Sequence, residues 1–276
     1  MAYPLKALLL TGGKSSRMGQ DKASLKIGSQ TLLDRAVGIL SEFTKEVHLS
    51  VAHDSIFRVE GLTSLPDLTR SPGPLGGLEA AFADDPESAW LVLAIDLPRI
   101  TKGDLSLLIE AHDESKDVTC FLNSLDGHPE PLCALYSPNA EPKLIEVIAQ
   151  NRRCARRFLR SLDRTELTPA DPQALLNLNR PEQLAELEHL HQNGTVEKEL
   201  AIEYFAKLSQ EAGMNSENIR TSAATLTGLW EEVRLRHQFS LDLPHVKPAI
   251  DDEFSDWEVP LASGQKIAFM PPFAGG

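Results

Sequence analysis

One stretch near the start of the chain, LLLTGGKSSRMGQDKASL from Leu8 to Leu25, restricts the fold more than any other. Its opening apolar run shows no alternation with polar residues, which is typical of a strand buried on both faces. Glycines and serines follow at once and allow several backbone N–H groups to turn toward an anion, while Lys14, Arg17 and Lys22 add positive charge. The stretch therefore predicts a strand followed by a loop that binds a nucleoside triphosphate.

Two better-known phosphate loops do not fit these residues. The P-loop needs a lysine directly after its last glycine, whereas Gln20 follows Gly19 here. The dinucleotide fingerprint needs glycines at spacings that are missing between Gly13 and Gly19. The pattern that remains is Gly-Gly-x-Ser-x-Arg-Met-Gly-x-Asp-Lys, from Gly12 to Lys22. In it the chain resembles the nucleotidyltransferases that make NDP-sugars and cofactor dinucleotides, and most closely the molybdenum cofactor guanylyltransferases of the MobA type.

Helices and strands alternate after this loop. Apolar residues recur at spacings of three and four within 30–43, which predicts an amphipathic helix, and 47–52 predicts a second strand. Such alternation favours the α/β class, with a doubly wound, mostly parallel, Rossmann-like sheet of the nucleotidyltransferase type. Ligands of these sheets bind beyond the carboxyl ends of the strands, where the loop after Leu10 lies.

The most apolar strand of the chain, 89–95, ends directly before Asp96. A carboxylate at this edge is not tolerated unpaired, and its natural partner is Mg²⁺, which bridges phosphates and needs few protein oxygens. The alternative is that Asp96 caps the next helix, but Thr101 lies closer to that helix start and is the better cap.

The resemblance implies a larger site around the loop. Catalysis is expected from Arg17, Lys22 and Asp96, with Mg²⁺ on Asp96 and Asn179. The implied nucleotide contacts are Leu10, Thr11, Gly12, Gly13, Lys22, His53, Asp67, Gly76 and Asp96. His128, Asn177 and Asn179 are expected to face a pterin acceptor, with both asparagines on a short strand. The family usually has Asn where this chain has His53, so the sequence leaves open cytidine in place of guanosine, and also a sugar phosphate acceptor.

Arginines cluster between 152 and 160 at helical spacing in an otherwise acidic chain. The face they form is either simply solvated or attracts an anionic acceptor. The chain as a whole carries 40 acidic and 27 basic residues for a formal net charge of -13, which argues against a nucleic-acid binder. Cys120, Cys133 and Cys154 are far apart without a Cys-x-x-Cys pair and predict core thiols rather than a zinc site or a disulfide.

The sequence shows no signal of a membrane or export role. It has no run of 18 apolar residues, and the apolar stretch before TGGK is too short for a signal peptide. A cytoplasmic location is the expectation.

A second domain is predicted after a break near Asn193, which divides the chain into domains 1–193 and 194–276. A strand, a helix and further strands in so few residues suggest an α+β roll of the ubiquitin-like, β-grasp type. The chain ends in PPFAGG, and this segment resembles the small subunit of molybdopterin synthase, the MoaD-type sulfur carrier. The resemblance implies that the carboxylate of Gly276, after Gly275, is adenylated and converted to a thiocarboxylate.

Together the two resemblances suggest a fusion protein of molybdenum cofactor biosynthesis. The expected reaction joins GMP from GTP to molybdenum-loaded molybdopterin, with Mg²⁺, and releases pyrophosphate. Expected partners are the large subunit of molybdopterin synthase, the adenylating enzyme that acts on Gly276, a molybdenum-insertion protein and molybdoenzyme chaperones. The alternatives left open are a cytidylyltransferase, a sugar-phosphate nucleotidyltransferase, and a catalytically weak scaffold that serves as a sulfur carrier.

Overall fold

The structure, a computed structural model, describes residues 3–11, 22–68, 73–123, 127–179, 181–193 and 197–271. The chain folds into two compact units, Met1–Asn179 and Arg180–Gly276. The boundary predicted at Asn193 differs from this division, because the helix before it packs with the second unit rather than the first.

The first unit alternates strands and helices over most of its length. Its elements are β1 (Leu5–Leu10), β2 (Lys26–Ile27), β3 (Gln30–Thr31), α1 (Leu32–Leu40), β4 (Val47–Val51), β5 (Thr63–Pro66), α2 (Pro74–Asp84), β6 (Ala89–Ala94), α3 (Lys102–Glu110), β7 (Val118–Leu122), β8 (Pro129–Tyr136), α4 (Glu141–Ala149), α5 (Ala155–Ser161) and β9 (Arg164–Leu167). Thr31 and Thr101 begin α1 and α3 with capping boxes, which fix where these helices start.

The described residues of this unit contain a seven-stranded sheet in the order β5-β4-β1-β6-β8-β7-β9. The pairs from β5 to β6 are parallel, and β8 runs antiparallel to both β6 and β7. The chain passes from β1 outward to β4 and β5 and then places β6 on the other side of β1. The strand order therefore reverses at β1, and a crevice for a ligand is expected at the carboxyl ends of β1 and β6. The predicted doubly wound, mostly parallel sheet is confirmed.

The core of this unit lies along the central strands. Ala7, Leu8 and Leu9 of β1 are fully buried, and every residue of β4 and β6 is buried. Strands covered by helices on both faces have no polar side, which explains their continuous apolar sequence. Cys120 and Cys133 are buried as predicted, whereas Cys154, at the start of α5, is exposed.

Two local predictions in the first unit are wrong. The segment with Asn177 and Asn179 is irregular rather than a short strand, because its backbone bonds to a neighbouring loop instead of to a sheet edge. Arg152 and Arg153 lie in the turn before α5 and therefore do not share a helix face with Arg160.

The second unit begins with a helix and continues as a small mixed sheet. Its elements are α6 (Pro181–Asn193), β10 (Lys198–Tyr204), α7 (Lys207–Ala212), β11 (Ser216–Thr221), α8 (Leu226–Arg236), β12 (Lys247–Ile250), β13 (Glu253–Phe254) and β14 (Lys266–Met270). The described residues form a five-stranded sheet in the order β11-β10-β14-β12-β13, in which β10 and β14 are parallel and the other pairs antiparallel. This order, with α8 against one face, is the predicted ubiquitin-like β-grasp, which is confirmed.

Aromatic side chains fill the core of the second unit. Trp230 of α8 is fully buried, and its ring centroid lies 5.6 Å from that of Phe239 and 5.1 Å from that of Phe269. Aromatic residues bury a large area each, so a few of them stabilise a domain of this size.

Helix α6 is joined to the start of α8 by one buried carboxylate. Glu186 is 5% exposed and accepts hydrogen bonds from the N–H groups of Ala224 and Thr225 at 2.6 and 2.7 Å and from the Thr225 hydroxyl at 2.6 Å. A Cβ on Gly228 would lie 2.7 Å from Glu186 Cδ, so the glycine leaves room for this carboxylate. Glu186 thus caps α8 from another helix, and its negative charge interacts favourably with the positive N-terminal end of the α8 dipole. Within the described ranges, none of the helices combines the length and apolar character that crossing a bilayer requires.

Candidate functional site

Three predicted residues meet at the carboxyl edge of the first sheet. Lys22 Nζ lies 2.9 Å from Asp96 Oδ2 and 2.9 Å from Asn179 Oδ1, so the ammonium donates to both oxygens. The side chains of Lys22 and Asp96 are 14% and 20% exposed, which keeps the pair reachable from solvent. The partners of Lys22 are 74 and 157 residues away in sequence, so only the fold brings the three together.

Backbone hydrogen bonds hold this group in place. The N–H of Ile95 donates to the Leu10 carbonyl at 3.1 Å, which ties the end of β6 to the end of β1. The N–H of Leu178 donates to the Asp96 carbonyl at 2.8 Å and places the next residue, Asn179, beside the carboxylate. The irregular segment before α6 is therefore part of the site.

An ion pair that the sequence analysis missed joins the segment that follows Asp96 to the segment that precedes Asn179. Arg99 Nε and Nη2 donate to Asp171 Oδ2 at 3.0 and 2.7 Å, and the Arg99 side chain is 8% exposed. Asp171 Oδ1 also accepts from the N–H of Gln173 at 2.9 Å, which starts a turn. The Asp-Pro pair at 171–172 is a turn signal that marks this position, although it does not reveal the arginine.

The predicted contacts Leu10 and Thr11 lie at the end of β1, beside β4. The N–H and hydroxyl of Thr11 donate to the Ser50 carbonyl at 3.4 and 2.6 Å, and Leu10 is buried. Helix α2 approaches both strands closely, since a Cβ on Gly77 would overlap Ser50 Oγ and lie 2.8 Å from Leu10 Cδ2. The glycine allows α2 to pack directly onto this edge.

His53 and Asp67 are neighbours, as the predicted site requires. The N–H of Asp67 donates to the Val51 carbonyl at 2.9 Å, and His53 Nδ1 lies 2.7 Å from the Asp67 carbonyl oxygen. Because a carbonyl only accepts, Nδ1 carries the proton in this contact. Burial raises the pKa of the Asp67 carboxyl to about 6, with a further increase from Glu79 and a smaller opposing effect of His53.

Gly76 lies in the first turn of α2, near Asp67 in sequence and at the same sheet edge. Its N–H donates to the Gly73 carbonyl at 3.0 Å. Gly73 has φ of 66°, in the left-handed region that favours glycine, and it provides no side-chain cap for α2. The helix entrance is therefore made of backbone alone, which is typical of helix starts that face anions or base edges.

The predicted acceptor-side residues lie at the same edge. β8 is antiparallel to β6, so its start at Pro129, next to His128, lies by the carboxyl end of β6. Arg160 Nη2 lies 2.9 Å from His128 Nδ1, and since a guanidinium only donates, Nδ1 accepts in this contact. The arginine cluster thus reaches His128, while Asn177 is half-buried in the segment beside Asp96.

Several predicted residues lie outside the described ranges. They are Gly12, Gly13, Arg17, Gly275 and Gly276.

The residues that are described fit a magnesium ion in their chemistry. Asp96 and Asn179 present a carboxylate and an amide oxygen to one cation, at present the Lys22 ammonium, and hard oxygen ligands are those that Mg²⁺ takes. No group of three or more His, Cys, Asp or Glu side chains in the described ranges is arranged to hold a metal. A site with so few protein ligands suits an ion that keeps waters and bridges phosphates.

Two family models match this chain. A MobA-like NTP transferase domain matches residues 7–166, and the ThiS family matches residues 202–276. The first match spans the sheet that carries the candidate site, and the second spans the β-grasp sheet.

Relatives of known description match up to about two thirds of the chain. A molybdenum cofactor biosynthesis bifunctional protein of Synechocystis sp. is 32% identical over 67% of this chain and 54% of its own length. A probable molybdenum cofactor guanylyltransferase of Nostoc sp. is 31% identical over 66% of this chain and 89% of its own. Another of that description, from Pelotomaculum thermopropionicum, is 35% identical over 47% of this chain and 62% of its own. The chain therefore spans about half the length of the bifunctional relative that it matches.

Solved structures agree with the fold of the first unit. The molybdopterin-guanine dinucleotide biosynthesis protein A of Archaeoglobus fulgidus superposes with a TM-score of 0.57 at 22% identity, over 68% of this chain and 98% of that one. A 2-C-methyl-D-erythritol 4-phosphate cytidylyltransferase of Thermus thermophilus superposes with a TM-score of 0.52 at 12% identity, over 67% and 98%. Since the family model covers more than half of the chain, this protein belongs to the family of the MobA-like NTP transferase domain, to which a ThiS-family domain is fused.

Proposed function

We propose that the first unit transfers GMP from GTP to the terminal phosphate of molybdenum-loaded molybdopterin. An oxygen of the acceptor phosphate attacks the α-phosphorus of GTP, the bond from that phosphorus to the β-phosphate oxygen breaks, and pyrophosphate leaves. The observation that carries the proposal is the convergence of Lys22, Asp96 and Asn179 at the point where the strand order reverses.

Each described residue has a part in this reaction. Lys22 exchanges its present partners for the phosphates and offsets their charge. Asp96 and Asn179 would hold Mg²⁺, which when bound would orient the phosphates and neutralise negative charge. The Arg99–Asp171 ion pair keeps the two segments that carry these oxygens at a fixed distance, and positioning of this kind supplies much of the rate in such a reaction.

The base side of the site consists of Asp67 and His53. Asp67 accepts hydrogen bonds from the guanine edge, and the Nδ1–H contact of His53 holds the Asp67 backbone. The acceptor side consists of His128, which Arg160 contacts, and of Asn177. An arginine at this edge favours an anionic acceptor.

We further propose that the second unit carries sulfur for the large subunit of a molybdopterin synthase. The ThiS-family match and the β-grasp sheet support this role. A partner enzyme would adenylate the Gly276 carboxylate with ATP and release pyrophosphate, and a sulfur donor would then displace AMP to leave a thiocarboxylate. The carrier needs no catalytic residue of its own.

One incubation tests the first role. The intact protein is mixed with Mg²⁺, molybdenum-loaded molybdopterin and either GTP or CTP, and pyrophosphate and the dinucleotide product are measured. We expect product from GTP alone. Product from CTP alone would assign a cytidylyltransferase instead, and product from neither would leave sulfur carriage as the function.

Intact-mass spectrometry tests the second role. After incubation with an adenylating enzyme of the family, ATP and a sulfur donor, we expect a mass gain that corresponds to one oxygen replaced by sulfur. A variant that ends at Gly275 should show no gain. An unchanged mass of the full chain would contradict the carrier role.

A further inference from the structure

Two carboxyl groups near the candidate base site each keep a buried oxygen without a partner. Among the described residues, Asp67 Oδ1 and Glu79 Oε2 are shielded from solvent and have no hydrogen-bond partner. Asp67 follows β5, and Glu79 lies on α2, which packs against β5. Buried carboxylate oxygens without donors are costly, so folds seldom keep two of them on neighbouring elements without a use.

The backbone N–H and carbonyl of Asp67 both have partners, whereas its side-chain Oδ1 has none among the described residues. Its N–H donates to Val51, and its carbonyl accepts from His53. Two charged side chains in the described ranges act on the Asp67 carboxylate, Glu79 from α2 by repulsion and His53 from the loop after β4 by attraction. Burial and Glu79 both favour the protonated form of Asp67, which agrees with a pKa of about 6.

When ionised, both side chains accept hydrogen bonds and donate none. The hydrogen-bonding edge of guanine offers two adjacent donors, N1–H and the 2-amino group. Adenine and cytosine each place a ring nitrogen acceptor beside their amino group, so they would set an acceptor against an acceptor. Sites built for a donor reject ligands that lack it, since their polar groups are then left unpaired.

We propose that Glu79 is a positioning residue for base selection: it supplies no donor to Asp67, so that the Asp67 carboxylate is left to pair with the adjacent N–H groups of guanine. The inference rests on the proposed function and names the residue that sets its base preference. An amide at position 79 shows the logic, because it would replace a side chain that only accepts hydrogen bonds with one that also donates, on the helix that packs against β5.

Equilibrium binding tests the proposal independently of turnover. Binding of GTP, ITP and CTP in the presence of Mg²⁺ is measured for the wild type and for Glu79→Gln. ITP lacks the 2-amino group, so it reports that contact. We expect the wild type to prefer GTP over ITP by about tenfold or more and the variant to lose most of this preference, while CTP binding changes little. Glu87→Gln, an exposed change of the same kind, should behave as the wild type.

The pH dependence of GTP binding is a readout that a merely structural role of Glu79 would not change. A carboxyl with a pKa of about 6 is about one-tenth ionised at pH 5, so GTP binding by the wild type should weaken about tenfold between pH 7.5 and pH 5. Glu79→Gln should weaken distinctly less over the same interval. Protonation of the GTP phosphates affects both proteins equally. The ratio of their GTP affinities at each pH therefore reports on the protein site alone.

A double variant shows whether Glu79 acts through Asp67. In an Asp67→Asn background, the further change Glu79→Gln should leave GTP binding unaltered. Equal GTP-to-ITP ratios in the wild type and in Glu79→Gln would overturn the proposal, even if the protein makes the dinucleotide. Failure of dinucleotide formation with base selection intact would instead overturn the proposed reaction and leave this inference standing.

Discussion

Two carboxylates, the buried Glu186 in the second unit and the half-buried Asp67 in the first, differ in what surrounds them. Glu186 in the second unit accepts hydrogen bonds from two backbone N–H groups and a hydroxyl, and a glycine makes room for it. Asp67 in the first unit keeps Oδ1 without a partner in the described ranges, next to a second carboxyl group that repels it. The first arrangement stabilises a fold, whereas the second costs stability, which is expected of functional sites.

Asp96 lies between these extremes. It has a partner, but that partner is the ammonium of Lys22, which follows the loop predicted to bind phosphate, and lysine is a flexible point charge. The comparison therefore separates three cases. Glu186 makes a permanent contact, Asp96 makes an exchangeable contact with Lys22, and Asp67 has an oxygen without a partner in the described ranges, which we call the withheld contact. Changes at each position test whether this order holds.

The largest effect is expected at the exchangeable contact. Lys22→Ala should lower kcat/KM for dinucleotide formation by about 100-fold to 1000-fold, because one charge that stabilises the phosphates is lost. The rate of pyrophosphate release measures it. Lys26→Ala, an exposed lysine four residues on, is the matched control and should keep the wild-type rate. Full activity of Lys22→Ala would remove Asp96 and its partners from the site.

The permanent contact should govern stability alone. Glu186→Ala leaves N–H groups at the start of α8 without their acceptor, and we expect the second unit to lose about 2–3 kcal/mol of unfolding free energy. Urea denaturation followed by near-UV signals of Trp230 and Trp257 measures this loss. Glu188→Ala, on the exposed side of α6, should change it little. Nucleotidyl transfer by the first unit should remain, and its loss would contradict a purely structural role.

A substitution at the withheld contact should raise the free energy of unfolding, whereas Glu186→Ala lowers it. Asp67→Asn removes a buried charge at neutral pH, so the first unit should gain about 1 kcal/mol after allowance for solvent screening, while GTP binding weakens. The folded pKa of Asp67 is raised to about 6 from an unfolded value of 3.8, so the wild type binds the proton more readily when folded. Its stability should therefore rise as pH falls from about 6 toward 4, and the gain of the variant should vanish over this window. A variant less stable than the wild type at pH 7 would break the comparison.

The smallest effect is expected at an unpartnered atom away from the ligand edge. His48 Nδ1 in β4 is buried without a hydrogen-bond partner in the described ranges, and Asp84 Oδ2 lies 4.0 Å away. Burial lowers the pKa of His48 below 6.5, so the unfolded chain takes up the proton first and stability falls as pH drops below 6.5. His48→Gln should flatten that fall by less than about 1 kcal/mol in urea titrations and leave GTP binding unchanged. Weakened GTP binding would contradict the placement of His48 outside the ligand site.

Local patterns were sufficient to predict most elements of the first unit. Apolar runs indicated β1 and β6, a strand was also predicted at 47–52 where β4 lies, and Thr101 caps α3 as its position suggested. The meeting of Lys22, Asp96 and Asn179 followed from family spacing and from the rule that parallel strands share a carboxyl edge, while their chemical roles stay predictions. The short strand expected at Asn177 is absent because Leu178 bonds to the Asp96 loop, a partner that no local pattern reveals.

Contacts between distant residues escaped the sequence analysis. The helix that ends at Asn193 reads as the last helix of the first domain, yet Glu186 binds a backbone N–H 38 residues later and places it in the second unit. The Arg99–Asp171 pair and the effect of Glu79 on Asp67 are equally non-local. A charged residue in a polar helix looks solvated until the surface that buries it is known.

The position of β14 in the second sheet has a mechanical consequence. This strand is hydrogen-bonded along both edges, to β10 on one side and β12 on the other, and the chain continues beyond Met270. A pull on the segment that follows runs along the strand and therefore across both sets of hydrogen bonds, which are perpendicular to the strand toward β12 and slanted toward β10. Both rows of hydrogen bonds carry such a load together in shear instead of breaking one bond at a time. The domain therefore resists unfolding when another protein pulls on this segment.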